Sequence, residues 1–185
     1  MPIAVRAVVS GVRSSWAAAG ARAAAAGVAV QSELRPAPVT GEPVLLERMI
    51  GNLVDNAVRY NRAGGHLVVD TGTEGGRAIL QICNTGREIL PEEAQTLLEP
   101  FVHGQGTRVR TDGLGLGLSI VRAVTLAHRG RIAVTARTGG GLDITVDLPV
   151  ESLQRLTLSD ESHLRFPASG QPCQQSANNV PGRRQ

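Results

Sequence analysis

Between residues 46 and 60 apolar side chains recur at Leu46, Met49, Ile50, Leu53, Ala57 and Tyr60. Steps of three and four lay them along one stripe of an amphipathic helix. Thr40-Gly41-Glu42-Pro43 precedes the stripe with a capping residue, an acid and a proline, the signature of a helix start. Asn61-Arg62-Ala63-Gly64-Gly65 follows as a glycine turn. A polar stripe of Arg48, Asn52, Asn56 and Arg59 runs beside the apolar one. Asparagine is a poor helix former and a poor core filler. Two of them one turn apart either face solvent or present their amides to something held on that face.

The same reading places the other elements. Residues 3–27 are Ala-rich and predict a helix, and residues 28–34 alternate as a short strand. Residues 66–71 and 77–83 are strands joined by Gly75-Gly76 as a hairpin. Residues 91–98 form a short helix with acids in its first turn. Residues 102–111 are polar and aperiodic, a mobile loop. Residues 116–128 are an apolar helix closed by Arg129-Gly130, and residues 131–138 and 142–148 are strands paired around Gly139-Gly140-Gly141. The expected fold class is α/β, a two-layer sandwich with helices on one face of a mixed, mostly antiparallel sheet. One domain over residues 1–150 is expected. Residues 151–185, rich in Ser, Gln, Asn and Pro, read as a largely disordered tail.

Composition narrows the function. Of the 185 residues 42% are hydrophobic, enough for one core, and with only Trp16, Tyr60, Phe101 and Phe166 as aromatics that core is aliphatic. A net charge of +3 makes no case for nucleic acid. Cys83 and Cys173 have no metal-binding spacing and fit buried thiols in a reducing cytoplasm better than a disulfide framework. No apolar run reaches the roughly 18 residues of a membrane span, and no signal peptide is evident, so no membrane contact by this chain is expected. All 19 basic residues are arginine. A P-loop needs a lysine beside its phosphates, so that class is excluded.

Three further motifs carry chemistry. Gly113-Leu114-Gly115-Leu116-Gly117-Leu118-Ser119 puts glycines at alternate positions directly before a helix. Close backbone approach and free helix N-terminal amides suit a phosphate, although such loops also serve as plain turns. A dinucleotide fingerprint would need a sixth-position glycine, which here is Leu118. Asn84-Thr85-Gly86 ends a strand, where a side-chain acceptor could read an exocyclic amine or the chain could simply turn. Leu98-Glu99-Pro100-Phe101 sets an aromatic anchor, or a core Phe, at the hinge of the polar loop.

In this order the motifs resemble the ATP-binding catalytic domain of bacterial sensor histidine kinases, the Bergerat fold shared with gyrase, Hsp90-type chaperones and mismatch-repair ATPases. The resemblance covers about residues 3 to 149. Residues 52–60 match the family's N box, residues 84–86 its first glycine box, Pro100-Phe101 its F box and residues 113–117 its second glycine box. Gly139-Gly140-Gly141-Leu142 stands where the family closes its last hairpin.

The resemblance implies ATP and Mg²⁺ as ligands. Asn56 would coordinate the metal through its amide oxygen, with Asn52 in support. Arg59 would lie near the phosphates and Tyr60 beside the nucleotide. Asn84 and Gly86 would meet adenine, with Ile89 in the same set. Phe101 would hinge the lid, and Gly113, Leu114, Gly115, Leu116, Gly117 and Leu118 would line the triphosphate. Arg108, with Arg110, would reach the γ-phosphate when the loop closes. Asn52, Asn56 and Arg108 form the implied catalytic set.

Three departures qualify the resemblance. Asn84 replaces the family's usual Asp, keeping an acceptor but losing the carboxylate. The segment Gly86-Arg87-Glu88-Ile89 lacks the usual second glycine. His66, His103, His128 and His163 do not lie in an acceptor motif. The expectation is therefore a catalytic half whose substrate histidine sits on a dimerisation domain elsewhere in the parent protein or on another chain, with a response regulator downstream. The expected location is the cytoplasm, including the cytoplasmic part of a membrane-bound sensor. Two alternatives share the residues: a degenerate nucleotide-sensing or partner-binding module, and an anti-sigma-type serine kinase of the same fold.

Overall fold

The computed structural model describes residues 19–100 and 116–150. The expected mobile loop, the tail from residue 151 and most of the N-terminal helix lie outside the described residues; residues 19–25, labelled α1, are helical. The chain continues through β1 (Ala29–Leu34), α2 (Pro43–Arg59), β2 (His66–Glu74), β3 (Arg77–Asn84), α3 (Pro91–Thr96), α4 (Gly117–Ala127), β4 (Arg131–Ala136) and β5 (Leu142–Pro149).

The strands form one sheet in the order β1-β2-β3-β5-β4. β1 and β2 pair in parallel with Val30 opposite Leu67, so α2 makes the crossover between them. The other pairs are antiparallel, and Ile82 faces Val69 on one side and Ile144 on the other. This is the two-layer α/β arrangement that the pattern predicts.

Alternation decides which face meets the helices. Leu67, Val69, Leu80, Ile82, Ile144 and Val146 join Leu46, Met49, Ile50 and Leu53 of α2 and Val121 of α4 in one aliphatic core. On the opposite face Val68 and Cys83 form a small separate buried pair. Cys83 is disulfide-bonded, which corrects the expectation of a buried thiol; two cysteines without metal spacing carry no signal of pairing. Cys173 lies outside the described residues.

Two details of α2 differ from the sequence reading. Tyr60, counted in the apolar stripe, is the helix C-cap and is 52% exposed; Val54 takes the buried place instead. Thr40 does not cap the helix. The N-cap is Glu42, whose side chain makes no capping bond. At the end of α4 the left-handed residue is Arg129 (φ 56°) rather than Gly130. Gly130 is small for another reason: a Cβ there would lie 2.5 Å from the Asp147 carbonyl oxygen.

Two predictions follow from the sheet. Ile82→Ala opens a cavity in the central strand and is expected to cost about 2–5 kcal/mol of unfolding free energy in urea titration. Asp143, buried on the outer face, accepts from Gln81 Nε2 at 3.1 Å. Burial pushes its carboxyl above the ordinary value despite the Gln81 bond and the Arg137 charge. Its stabilising contribution is thus complete below the unfolded value of 3.8 and is lost as pH rises through the raised folded value. Asp143→Asn should flatten that part of the stability–pH profile, measured by urea unfolding across acid pH.

Candidate functional site

α2 and α4 pack side by side and antiparallel. Glu42 at the start of α2 meets His128 at the end of α4, Met49 meets Thr125 midway, and Asn56 meets Gly117 at the far end. A Cβ on Gly117 would lie 3.0 Å from Asn56 Nδ2, 3.3 Å from Asn56 Oδ1 and 3.5 Å from Asn52 Oδ1. Asn52 Nδ2 donates to the Arg48 carbonyl one turn back at 2.8 Å, which leaves Oδ1 as the atom turned toward α4. No side chain caps α4 at Leu116. Two amide oxygens therefore sit beside a helix N-terminus whose amides and dipole favour an anion. Leu116 and Leu118 are half-buried around it, with Leu118 packed on the core.

The C-terminal end of α2 also reaches the strand-end turn. A Cβ on Gly86 would lie 2.7 Å from the Tyr60 carbonyl oxygen. Asn84 is buried, and its Nδ2 donates to the Thr85 carbonyl at 2.8 Å. That bond uses one of the two Nδ2 hydrogens and fixes the amide so that Oδ1 can accept from a ligand. The Gly139-Gly140-Gly141 turn closes over this corner: Gly141 N–H donates to the Arg87 carbonyl at 2.9 Å. Gly141 has φ +99°, and a Cβ there would lie 1.9 Å from the Asn84 carbonyl oxygen, so only glycine fits. Ile89 packs on the core just beyond. Arg59 and Tyr60 are both exposed, with the guanidinium 6.0 Å from the ring centroid.

Asn52, Asn56, Arg59, Tyr60, Asn84, Gly86, Ile89, Leu116, Gly117 and Leu118 are thus placed at or around the end of α2. Phe101, Arg108, Gly113, Leu114 and Gly115 lie outside the described residues.

The sequence reading missed the tie that holds the turn in place. Thr85 Oγ1 donates to Asn61 Oδ1 at 2.6 Å and accepts from His66 N–H at 2.8 Å. Asn61 Nδ2 in turn donates to the Ala57 and His66 carbonyls at 3.2 and 3.1 Å. One asparagine thus joins the end of α2, the start of β2 and the strand-end turn. Burial, then the Arg137 and Arg62 charges, holds the His66 imidazole below its ordinary value, so its ring is neutral beside these arginines at pH 7. Only the turn-forming character of Asn61 hinted at any of this.

A helix-borne amide pair beside a helix N-terminus, with a buried acceptor one strand away, defines a nucleotide-binding domain of the α/β sandwich type. Residues 41–152 match the profile of the histidine kinase-, DNA gyrase B- and HSP90-like ATPases. The chain belongs to this ATPase family. Sensor protein CutS of Streptomyces coelicolor is 48% identical over 132 residues, 70% of this chain and 32% of that protein. BaeS, a signal transduction histidine-protein kinase of Escherichia coli, is 35% identical over 63% of this chain and 26% of its own length. The chain spans about a third or less of these relatives. Among solved structures, the mycobacterial sensor histidine kinase MprB superimposes with TM-score 0.70 at 28% identity, covering 80% of this chain and 97% of that one. The catalytic domain of histidine kinase ThkA shares the fold at 20% identity and TM-score 0.68, covering 78% of this chain and 93% of that one. The chain is thus an ATP-binding domain of this family, similar to the catalytic domains of sensor histidine kinases.

Gly117→Ala separates the site from the fold. Gly117 is the first residue of α4 and has no positive φ, so alanine fits the backbone there and stability should stay within about 1 kcal/mol. The added methyl displaces the Asn56 amide, and ATP affinity measured by calorimetry should fall by about tenfold, the effect of roughly 1.4 kcal/mol.

Proposed function

We propose that this chain binds Mg-ATP between the N-terminal end of α4 and the Asn52–Asn56 face of α2, and hands the γ-phosphoryl group to a histidine on a dimerisation hairpin. The hairpin belongs to the same parent protein or to another chain, and a response regulator takes the phosphoryl onward. The domain responsible spans residues 1–150. The contact between Gly117 and the two amides carries the reading, because it leaves a cradle of hard oxygens and backbone N–H groups that even one methyl would fill. Such a donor set suits Mg²⁺ held partly by phosphate oxygens. Bound Mg-ATP supplies the phosphoryl group with its charge already partly neutralised.

The chain's own residues then orient. Asn56 Oδ1 would be the metal ligand, with Asn52 Oδ1 in support. Asn84 Oδ1 accepts from the adenine amine, held by the Thr85 and Gly141 contacts. Arg59 adds charge at the rim, and Arg108 is assigned to the γ-phosphate. In the transfer the bond from the γ-phosphorus to the ADP oxygen breaks, a bond to a histidine nitrogen forms, and ADP leaves.

Calorimetry with ATP and Mg²⁺, followed by labelled ATP with a histidine-bearing dimerisation hairpin, tests this. Measurable binding and label on the hairpin are expected, and Asn56→Ala should reduce Mg-dependent affinity by at least about tenfold. Absence of binding at millimolar ATP would sink the reading. Binding without any label on the hairpin would favour a nucleotide-sensing module instead.

A further inference from the structure

We infer that His128 is a positioning residue that clamps the end of the α2–α4 pair opposite the Asn56–Gly117 cradle, and so sets the width of the phosphate site. This inference rests on the proposed Mg-ATP site.

Both ring nitrogens are committed. Nδ1–H donates to the Val124 carbonyl at 2.8 Å, closing the C-terminal turn of α4. Nε2 accepts the Glu42 N–H at 3.1 Å, closing the N-terminal turn of α2. One side chain thus adds a second donor to the Val124 carbonyl, which also accepts the His128 backbone N–H at 3.1 Å, and satisfies an orphan donor of α2. α2 needs that help: no side chain of its own caps Glu42. In a capping box the helix's own third residue would reach back to this N–H. Here the third residue is Leu45, and the acceptor arrives from another helix.

Gly41 makes the room. A Cβ there would lie 2.3 Å from His128 Cδ2 and 2.5 Å from Nε2, so any side chain at 41 evicts the ring. The tie also has leverage. Glu42 and Asn56 are fourteen residues apart on α2, about 21 Å along the axis. Between them, Met49 Sδ and Thr125 Oγ1 touch at 3.5 Å and act as the fulcrum of a pair pinned at both ends. Releasing the His128 end lets the helices pivot about this contact, and the cradle at Gly117, fitted to within a few tenths of an ångström, changes width.

The test compares His128→Leu, His128→Gln and Gly41→Ala in the full chain, measuring affinity for Mg-ATP and for adenosine by calorimetry. Adenosine reports the base corner and lacks the phosphates. His128→Leu should weaken Mg-ATP by about tenfold, the scale of one lost hydrogen bond, and leave adenosine affinity unchanged. His128→Gln, whose carbonyl restores an acceptor near Nε2, should stay within about threefold of wild type. Gly41→Ala should reproduce the leucine variant by eviction and serves if that variant fails to fold. The double variant Gly41→Ala with His128→Leu should be no worse than either alone. Unchanged Mg-ATP affinity in both single variants, or equal losses for ATP and adenosine, overturns the positioning role. A wild-type chain that binds no Mg-ATP overturns the proposed site itself.

Discussion

The gap between Gly117 and the amides of Asn52 and Asn56 is the constraint on which the rest of the molecule depends. It is set by two helices that cannot move independently. Their apolar faces share one core with the sheet, with Leu46, Met49, Ile50, Leu53 and Val121 all essentially inaccessible to water. Each such side chain gains about 1.5–3 kcal/mol from burial, so the pair is held by several of them before any polar contact is counted. Burial alone is non-directional, however. It presses the helices together without fixing where along their length they approach most closely. Directional contacts do that: a glycine against amides at one end, and a ring between a carbonyl and an N–H at the other.

The proposed base corner is built on a different principle. It is a stack of close backbone approaches, Gly86 on the Tyr60 carbonyl and Gly141 on the Asn84 carbonyl, stitched by Asn61 and Thr85. The Asn61 and Thr85 side chains are half-buried or buried and paired with each other within the corner, where an unsatisfied polar group is costly. The end of α2 belongs to both halves of the site. Asn56 faces α4, and Tyr60 and Asn61 face the strand-end turn. The Asn61 bonds hold the end of α2 to the strand-end turn, so a pivot of the helix pair is taken up at the Gly117 gap and not at the base corner.

What could be read from the chain divides along the same line. The closeness of the Asn52–Asn56 pair to Gly117 was legible because these residue types are out of place in a helix face and a helix start, and unusual residues need a reason. The sheet was legible because period-two alternation reports which face is buried. The Asn61–Thr85–His66 tie was not, because hydrogen bonds between positions far apart leave no period. The expected Thr40 cap failed for a related reason. Local propensity offered the only nearby hydroxyl, while the acceptor that Glu42 uses comes from His128, 86 positions away. Tyr60 continues the spacing of the stripe but stands one residue past the end of the helix, where the side chain is exposed.

Whether the proposed site transfers or hydrolyses turns on where the carboxylates are. Hydrolysis needs a base beside the phosphate to take a proton from water. Asn52 occupies the relevant face, and a neutral amide cannot accept that proton at pH 7. The nearest acids on α2 do not substitute for it. Asp55 is exposed and pairs with Arg22 of α1, and Glu47 is exposed as well. Rotating either onto the Asn face would require turning α2 about its axis, which would carry Met49, Ile50 and Leu53 out of the core. The packing that holds the cradle open thus also keeps the acids out of it. The proposed phosphate site, with no base of its own among the described residues, is suited to a nucleophile that arrives from outside, such as a histidine nitrogen whose lone pair needs no deprotonation beyond the neutral ring.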